Sequence, residues 1–400
     1  MKVLFLSSWF PYPPDNGSRI RVFNLIKQLS GEYDITLLSF SRDGEVAEER
    51  LRMMRRYCST VQAVPLAPFR PGSFRSILGF FSSQPRSFVD TYSPGMQGLI
   101  ERTSRAGDFS VVIASEITIA PYAVTLEGLP RILEEVQLAT LWEQYTNPSR
   151  FGHRLRYGLM WWKTRRFIAH LLRQFDGCTV ASQQERANVL SIVPNCPHVV
   201  VVPNGVDLGR YKDDFGAPEP GTLVFPGALT YSANFDAMTF FLRQIFSLVK
   251  ARWPEAVLRI TGKTDGVPVD RLPLDERVIL TGYLDDVRPT VAQSWACVVP
   301  LRVGGGTRLK ILEAMALGTP VVSTSKGAEG LEVTQGEDIL IADTPAEFAD
   351  AVLRLLDDKA LRARLAANGR RLVESRYGWK VIGEKLDQLL RRVAKERKAE

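Results

Sequence analysis

The sequence is poor in the residues that staple or metallate a fold. Its 400 residues hold four cysteines, Cys58, Cys178, Cys196 and Cys297, with no C-x-x-C pair among them. That scatter argues against a disulfide framework and a zinc site, and fits a reducing compartment. The three histidines, His153, His170 and His198, form no metal-ligand pattern. Long apolar runs are lacking too. The opening MKVLFLSSWFPYPPD is cut short by Pro11, Pro13 and Pro14, so it reads as neither a signal peptide nor a membrane span. Apolar and charged fractions of 45% and 24% are those of an ordinary globular protein, and the length suits two domains with separate cores. The net charge of +7 is uneven: residues 1–200 carry 23 basic and 17 acidic side chains, residues 201–400 carry 28 and 27. The basic half shows no nucleic-acid recognition motif, so an anionic membrane surface or an acidic acceptor accounts for it equally well.

What the chain does contain is the stretch 304–323, GGGTRLKILEAMALGTPVVS. An apolar segment, Trp295 to Pro300, reads as a buried strand ahead of it. Three glycines lead into a helix pattern from Thr307 to Leu317, Gly318 stops it, and Pro320 to Ser323 reads as the next strand. A glycine turn feeding a helix start presents backbone N–H groups that have no partner within the helix, which is an anion site. Gly306, Lys310 and Glu313 fall at i, i+4 and i+7, on one helical face. Amides and a cation suit a diphosphate; a carboxylate one turn on suits vicinal hydroxyls such as those of a ribose. A plain buried helix with a glycine-rich lead-in fits the same spacing.

Residues 280–332, LTGYLDDVRPTVAQSWACVVPLRVGGGTRLKILEAMALGTPVVSTSKGAEGLE, resemble the donor-nucleotide half of the family 4 retaining glycosyltransferases. The GGGTRLKILEAMA wording matches one branch of that family, and the likeness extends over nearly the whole chain, more strongly after Val200. It implies an α/β fold of two Rossmann-like domains facing across a cleft, the GT-B architecture, with a C-terminal helix crossing back to the first domain. The expected parts are an acceptor-side domain over 1–203, a linker over 204–221, a donor-nucleotide domain over 222–376 and the returning helix over 377–400.

Along the first half, strands are expected at Lys2–Ser7, 34–40, 61–65, 109–114, 131–133, 177–182 and 198–202. Asn16 or Ser18 is placed to cap a helix reaching Gln28. By resemblance, the loop before that helix meets the donor phosphates, which assigns Gly17, Ser18 and Arg19 to the donor. Arg19 and Arg21 differ by about 200° on a helix, so one of them faces the site, and Arg19 is nearer the start. Phe74, Ile77, Leu78 and Phe81 in SFRSILGFF have helical spacing, suited to an interfacial element or to packing on the domain. Glu134 and Glu135 end a strand, where open α/β sheets place functional groups. The family carries an acidic residue and then a His-Asn pair here. Glu135 takes the acidic place, Val136 and Gln137 the other two. Glu135 is therefore the candidate to orient or deprotonate an acceptor hydroxyl, with capping of the next helix as its structural alternative. From Pro148 to Phe175 a helix pattern interleaves seven Lys and Arg with Phe151, Tyr157, Trp161, Trp162 and Phe167. A membrane-surface helix and a surface helix with a core-facing aromatic stripe both fit it.

In the second half, PNGVD at 203–207 resembles the family's exit from its first domain and brings Asn204 to the donor. Strands are expected at 222–226, 256–262, 278–283 and 339–342, with a helix over 284–293 capped by Asp285 and helices from Pro345 onward. The resemblance puts Gly227, Gly262 and Tyr283 at the donor, with Gly304, Gly305, Gly306 and Thr307 cradling phosphate and sugar, and Glu313 on the ribose. Three departures stand out. An arginine and a lysine that hold the diphosphate in relatives fall at Ala228 and about Asn234. The first of two glutamates falls at Gly305. Arg308 and Lys310 are then expected to supply the missing positive charge and, with Glu135, to act in catalysis.

The activity implied is transfer of a sugar, with retention, from a nucleoside diphosphate sugar to a glycan or lipid-linked acceptor in cell-surface or exopolysaccharide synthesis. The chain has no Asp-x-Asp, so neither a metal nor any cofactor beyond the co-substrate is expected. A cytoplasmic site, peripheral on the inner face of the membrane, is the expected location, with no nucleic-acid partner. Two other readings keep the fold: a nucleotide-sugar 2-epimerase, and an idle nucleotide-sugar-binding scaffold.

Overall fold

A computed structural model describes residues 1–138, 151–304 and 308–399. The chain divides into two units, Met1–Pro203 with Ile382–Glu400, and Asn204–Val381. Each has its own buried apolar core.

The first unit is built on a seven-stranded sheet of β1 (Lys2–Ser7), β2 (Asp34–Ser41), β3 (Thr60–Pro65), β4 (Val111–Ser115), β5 (Arg131–Glu134), β6 (Gly177–Val180) and β7 (Val199–Val201), in the order β3-β2-β1-β4-β5-β6-β7. All neighbours are parallel. A parallel sheet is covered on both faces, and its strands are continuous apolar runs for that reason. VLFLS in β1 and VVIAS in β4 are buried throughout. The first helix, Gly17–Leu29, is capped by Asn16, whose side chain accepts from the Arg19 N–H. The C-terminal helix, Trp379–Ala399, packs most of its length on this unit. Asp387 accepts from the Tyr33 hydroxyl, His198 pairs with Glu396 at 2.6 Å, and Gly383 lies so close to Gln28 that a Cβ would meet its side chain.

The second unit has a six-stranded parallel sheet of β8 (Glu219–Pro226), β9 (Val257–Thr261), β10 (Val278–Gly282), β11 (Ser294–Val299), β12 (Val321–Ser323) and β13 (Leu340–Ile341), in the order β10-β9-β8-β11-β12-β13. Counted within each unit, the sheets run 3-2-1-4-5-6-7 and 3-2-1-4-5-6, the doubly wound order, in which ligands bind beyond the carboxyl ends where the order reverses. That point is β1/β4 in the first unit and β8/β11 in the second.

Several expectations shift. β8 starts at Glu219, three residues before Thr222, because Ser294 at the start of β11 pairs with it. The helix foreseen over 284–293 is only Arg288–Ala292 and has no side-chain cap; Asp286, not Asp285, accepts from the Arg288 N–H. The helix after the glycine loop runs Leu309–Ala316. On the long helix Phe151–Leu172 the aromatics divide: Phe167 is core, whereas Trp162 is exposed. The side chains expected to contribute at Arg150, Phe151, Arg154, Arg156 and Tyr157 lie outside the described residues.

Candidate functional site

In the second unit, β11 delivers the chain to Gly304, whose φ of +97° suits glycine and whose absent Cβ leaves room beside Tyr231 and Ala233. Gly305, Gly306 and Thr307 lie outside the described residues. Beyond them, Lys310 and Glu313 rise one turn apart from the helix Leu309–Ala316. The Lys310 Nζ donates to Asn234 Oδ1 at 2.9 Å and stands 4.0 Å from the centre of the Phe225 ring. Burial lowers its pKa to about 8. Glu313 accepts from the Tyr211 hydroxyl at 3.0 Å, and burial raises its carboxyl above the usual range.

Asn234 was singled out as the place of a missing lysine. Here it ties two parts of the site: its Nδ2 donates to the Ala228 carbonyl at 2.8 Å while its Oδ1 receives Lys310. Gly227 sits against both, since a Cβ there would meet Lys310 Nζ at 2.7 Å. Asn234 therefore holds the cation that comes from the other side of the β8/β11 reversal. Tyr211, like Asn234, is a site residue the sequence reading did not assign; no local motif marks it, because it lies in a short 3₁₀ turn, Leu208–Tyr211, far from Glu313 in the chain.

Arg308 was expected at the diphosphate. The structure turns it inward: it is 6% exposed, and its Nη2 donates to the carbonyls of Gly304 at 2.7 Å and Lys326 at 3.1 Å. These bonds tie Gly304 to the turn after β12, and Lys310 is the cation set beside Asn234 and Gly227. Gly262, at φ +101°, lets the β9 turn approach so closely that a Cβ would meet the Ala228 N at 2.6 Å. Tyr283 is exposed beyond β10, with Lys263 over its ring at 5.5 Å. Asn204 is buried at the first residue of this unit.

In the first unit the carboxyl ends of β4 and β5 carry a buried charge cluster. Glu116 and Glu135 follow these strands with φ of 72° and 60°, two of three non-glycine residues with positive φ among the described residues. Such conformations cost roughly 1–3 kcal/mol each and persist where the surroundings impose them. Arg21, not Arg19, faces this cluster. Fully buried, its Nε donates to Glu134 Oε1 at 2.6 Å and lies 3.6 Å from Glu135 Oε2. Burial opposes its charge, but Glu134 and Glu135 hold it on. Arg19 is engaged by Asp15 at 3.1 Å and by Asp43, since one residue's turn of 100° per position separates the two arginines onto different faces.

Glu134 also accepts from Ser115 Oγ at 2.6 Å, so both of its oxygens are bonded. Glu135 differs. Its Oε1 accepts from Gln137 Nε2 at 2.5 Å, but its Oε2 is buried with no hydrogen-bond partner. Burial pushes this carboxyl up to about 8, Arg21 works against that, and Glu134 and Glu116 add to it. The Leu138 N–H goes to Glu185 at 2.9 Å, and the helix that Glu135 was expected to cap lies outside the described residues. Glu116 accepts from Trp9 Nε1 at 3.2 Å and from Ser18, beside exposed Gly17. Among the described residues, no group of three or more His, Cys, Asp or Glu is placed to hold a metal ion.

The architecture defines a class. Across 98% of this chain, the fold superposes on sucrose-phosphate synthase from Thermosynechococcus elongatus, with a TM-score of 0.67, 18% identity and 99% of that chain covered. It also superposes on Anabaena Alr3699/HepE in complex with UDP and glucose, with a TM-score of 0.66, 15% identity and 100% of that chain covered. This is the GT-B fold.

Residues 220–358 match the family model for Glycosyl transferases group 1, so the second unit carries a domain of that group. Relatives agree. A Corynebacterium glutamicum GDP-mannose-dependent monoacylated alpha-(1-6)-phosphatidylinositol monomannoside mannosyltransferase is 22% identical over 364 residues, 78% of this chain and 94% of the relative. A Mycobacterium tuberculosis GDP-mannose-dependent alpha-(1-6)-phosphatidylinositol monomannoside mannosyltransferase is 24% identical over 376 residues, 81% and 96%. The likeness over most of the chain is thus to glycosyltransferases.

Proposed function

We propose that the protein transfers a sugar, with retention of configuration, from a nucleoside diphosphate sugar to a glycan or lipid-linked acceptor of cell-surface or exopolysaccharide synthesis, on the cytoplasmic side of the membrane. The observation that carries this reading is the pairing on one helix of Lys310, held by Asn234 at 2.9 Å, with Glu313, held by Tyr211 at 3.0 Å. A cation and a carboxylate one turn apart, beyond the reversal of a doubly wound sheet, match a diphosphate and the hydroxyls of a ribose. Lys310 and the glycine-loop amides would stabilise charge growing on the departing diphosphate, a role that protein donors fill without a divalent ion.

In the first unit, Glu135 Oε2 has no hydrogen-bond partner and lies 3.6 Å from Arg21 Nε, which leaves it able to accept from an acceptor hydroxyl, while Gln137 and Thr179 fix the side chain and backbone. Retention would follow from attack on the face the diphosphate leaves, with the leaving phosphate taking part of the acceptor proton. Glu135 then orients the acceptor hydroxyl, whose proton passes to the departing phosphate as the new glycosidic bond forms.

The test is binding and turnover of a panel including GDP-mannose and UDP-glucose, with EDTA present, in wild type and Glu313→Ala. The expected result is micromolar binding of one nucleotide, no effect of EDTA, and affinity about tenfold weaker in the variant, the scale of a hydrogen bond to a charged group. Nucleotide-sugar binding without any turnover would replace this reading with that of the idle scaffold, and absence of binding to every nucleotide would overturn both.

A further inference from the structure

The first unit carries an apolar surface that the donor site does not use. Six large apolar side chains stand exposed within residues 69–81: Phe69, Phe74, Ile77, Leu78, Phe80 and Phe81. Phe81 is 88% exposed and Phe74 74%, whereas Ser76 between them is fully buried. That is an inverted helix. In water, an amphipathic segment turns its serine out and its phenylalanines in. Contiguous apolar exposure of this kind marks a surface that meets an apolar medium.

The inversion is built. Ser73 caps the short helix Phe74–Leu78 by accepting from the Ser76 N–H, and Asp90 accepts from the Arg70 N–H at 2.7 Å and from Ser73. Arg86 donates to the Ser76 carbonyl at 3.0 Å and lies 3.9 Å over the Phe80 ring. Lys163, from the long helix Phe151–Leu172, donates to the Gly79 carbonyl at 2.7 Å. Polar groups thus fasten the segment from below while its apolar side chains are presented outward.

Charge indicates what meets that face. No acidic residue occurs from 144 to 175. The described part of the long helix exposes Arg165 and Arg166 beside Trp162, itself 53% exposed, with Arg166 4.8 Å over the indole, and exposed Arg173 follows the helix end. A pocket of about 850 Å³ between segment and helix is lined by Phe80, Trp162, Lys163, Arg166, His170 and Arg173. Cations next to exposed aromatics suit the boundary of an anionic bilayer, where indole rings sit at headgroup level and acyl chains take the phenylalanines. Among the described residues no helix is long and apolar enough to cross a membrane. The segment is itself far shorter than a span, so it would lie in the interface. Two copies meeting face to face would bring these like charges together.

We propose that residues 69–81 and the cationic face of the long helix form a docking surface for an anionic lipid bilayer. The surface is independent of the donor reading, because lipid binding is measured with no nucleotide sugar present.

The experiment is co-sedimentation of the full chain with vesicles of phosphatidylcholine alone and of phosphatidylcholine mixed with phosphatidylglycerol. It compares wild type, Phe74→Ser/Phe81→Ser and Arg165→Gln/Arg166→Gln. Unchanged nucleotide binding and thermal melting check that the variants fold. Wild type is expected to bind the mixed vesicles and to weaken in high salt. The phenylalanine variant is expected to lose at least about tenfold in partitioning, given the apolar area withdrawn. The arginine variant is expected to lose its preference for the anionic lipid. Equal partitioning of all three proteins, or equal binding to both vesicle types, would overturn the proposal. So would wild-type dimers in sedimentation that the phenylalanine variant abolishes, with no vesicle binding, since the face would then belong to a second copy.

Discussion

The two units share a strand order, yet they assemble their sites in opposite ways. In the second unit the chemistry is contiguous: a strand, a glycine loop and one helix bring Gly304, Lys310 and Glu313 to the β8/β11 reversal within ten residues. In the first, the cluster at the ends of β4 and β5 draws Arg21 from the first helix, Glu116 from one strand end and Glu134 and Glu135 from the next. The helix sets these groups by itself, and more distant residues, Asn234 and Tyr211, only hold them in place. A dispersed site depends on long-range charge balance, so its members are expected to fail together.

The sharpest break of that comparison is Arg21→Met. It leaves the Glu134 carboxylate buried without its cation, and stability is expected to fall by about 3–5 kcal/mol in urea unfolding. A loss below 1 kcal/mol would mean that Ser115 alone satisfies Glu134 and that the cluster is not coupled.

Glu135→Gln should behave oppositely, folding well but losing about 10²–10⁴ in turnover, with donor KM little changed. It also tests the pH linkage. A carboxyl raised to about 8 keeps its proton in the fold at pH values where the unfolded chain has released it. Its contribution to stability is full below the unfolded carboxylate range and is lost as pH rises towards about 8. Unfolding free energy measured from pH 5 to 9 should fall in wild type and be flatter in Glu135→Gln; parallel curves would assign the raised value elsewhere.

In the second unit, Lys310→Ala is expected to weaken nucleoside diphosphate binding by about tenfold or more, the worth of a charge-assisted contact. Because burial sets the lysine near 8, the free protein loses this charge as pH rises through that value. Wild-type affinity by calorimetry should therefore decline above pH 8, while Lys310→Arg should stay flat. An unchanged wild-type profile would take Lys310 out of the diphosphate contact.

The smallest effect belongs to Tyr211→Phe. Removing one hydroxyl from Glu313 is worth about 0.5–1.5 kcal/mol, a few-fold change in nucleoside affinity. If it matched Glu313→Ala, Tyr211 would itself touch the nucleotide.

How much of this was legible follows from the same contrast. Apolar runs and glycine punctuation located the sheet strands to within a few residues, because a strand buried on both faces has no room for polar side chains. The 304–323 stretch disclosed its helix and strand for the same local reasons. Arg21 against Arg19 was not decidable in sequence: both lie on one helix, and the choice rests on carboxylates more than a hundred residues away. Arg308, expected at the diphosphate for its place beside the glycines, donates instead to the carbonyls of Gly304 and Lys326, the second of them 18 residues away in the chain. The exposure of Phe74 and Phe81 was equally hidden, since helical spacing describes a face without saying whether it turns in or out.

The sequence by itself located the buried strands and set Lys310 and Glu313 one turn apart, since these follow from short-range pattern and helix geometry, while its resemblance to a known family implied the two Rossmann-like units. Only the tertiary structure decided which charges are partnered, which carboxylate keeps an unbonded oxygen, and which apolar face looks outward. Those depend on distances between residues that the chain separates, and in a low-dielectric interior such distances set the charge state of every group.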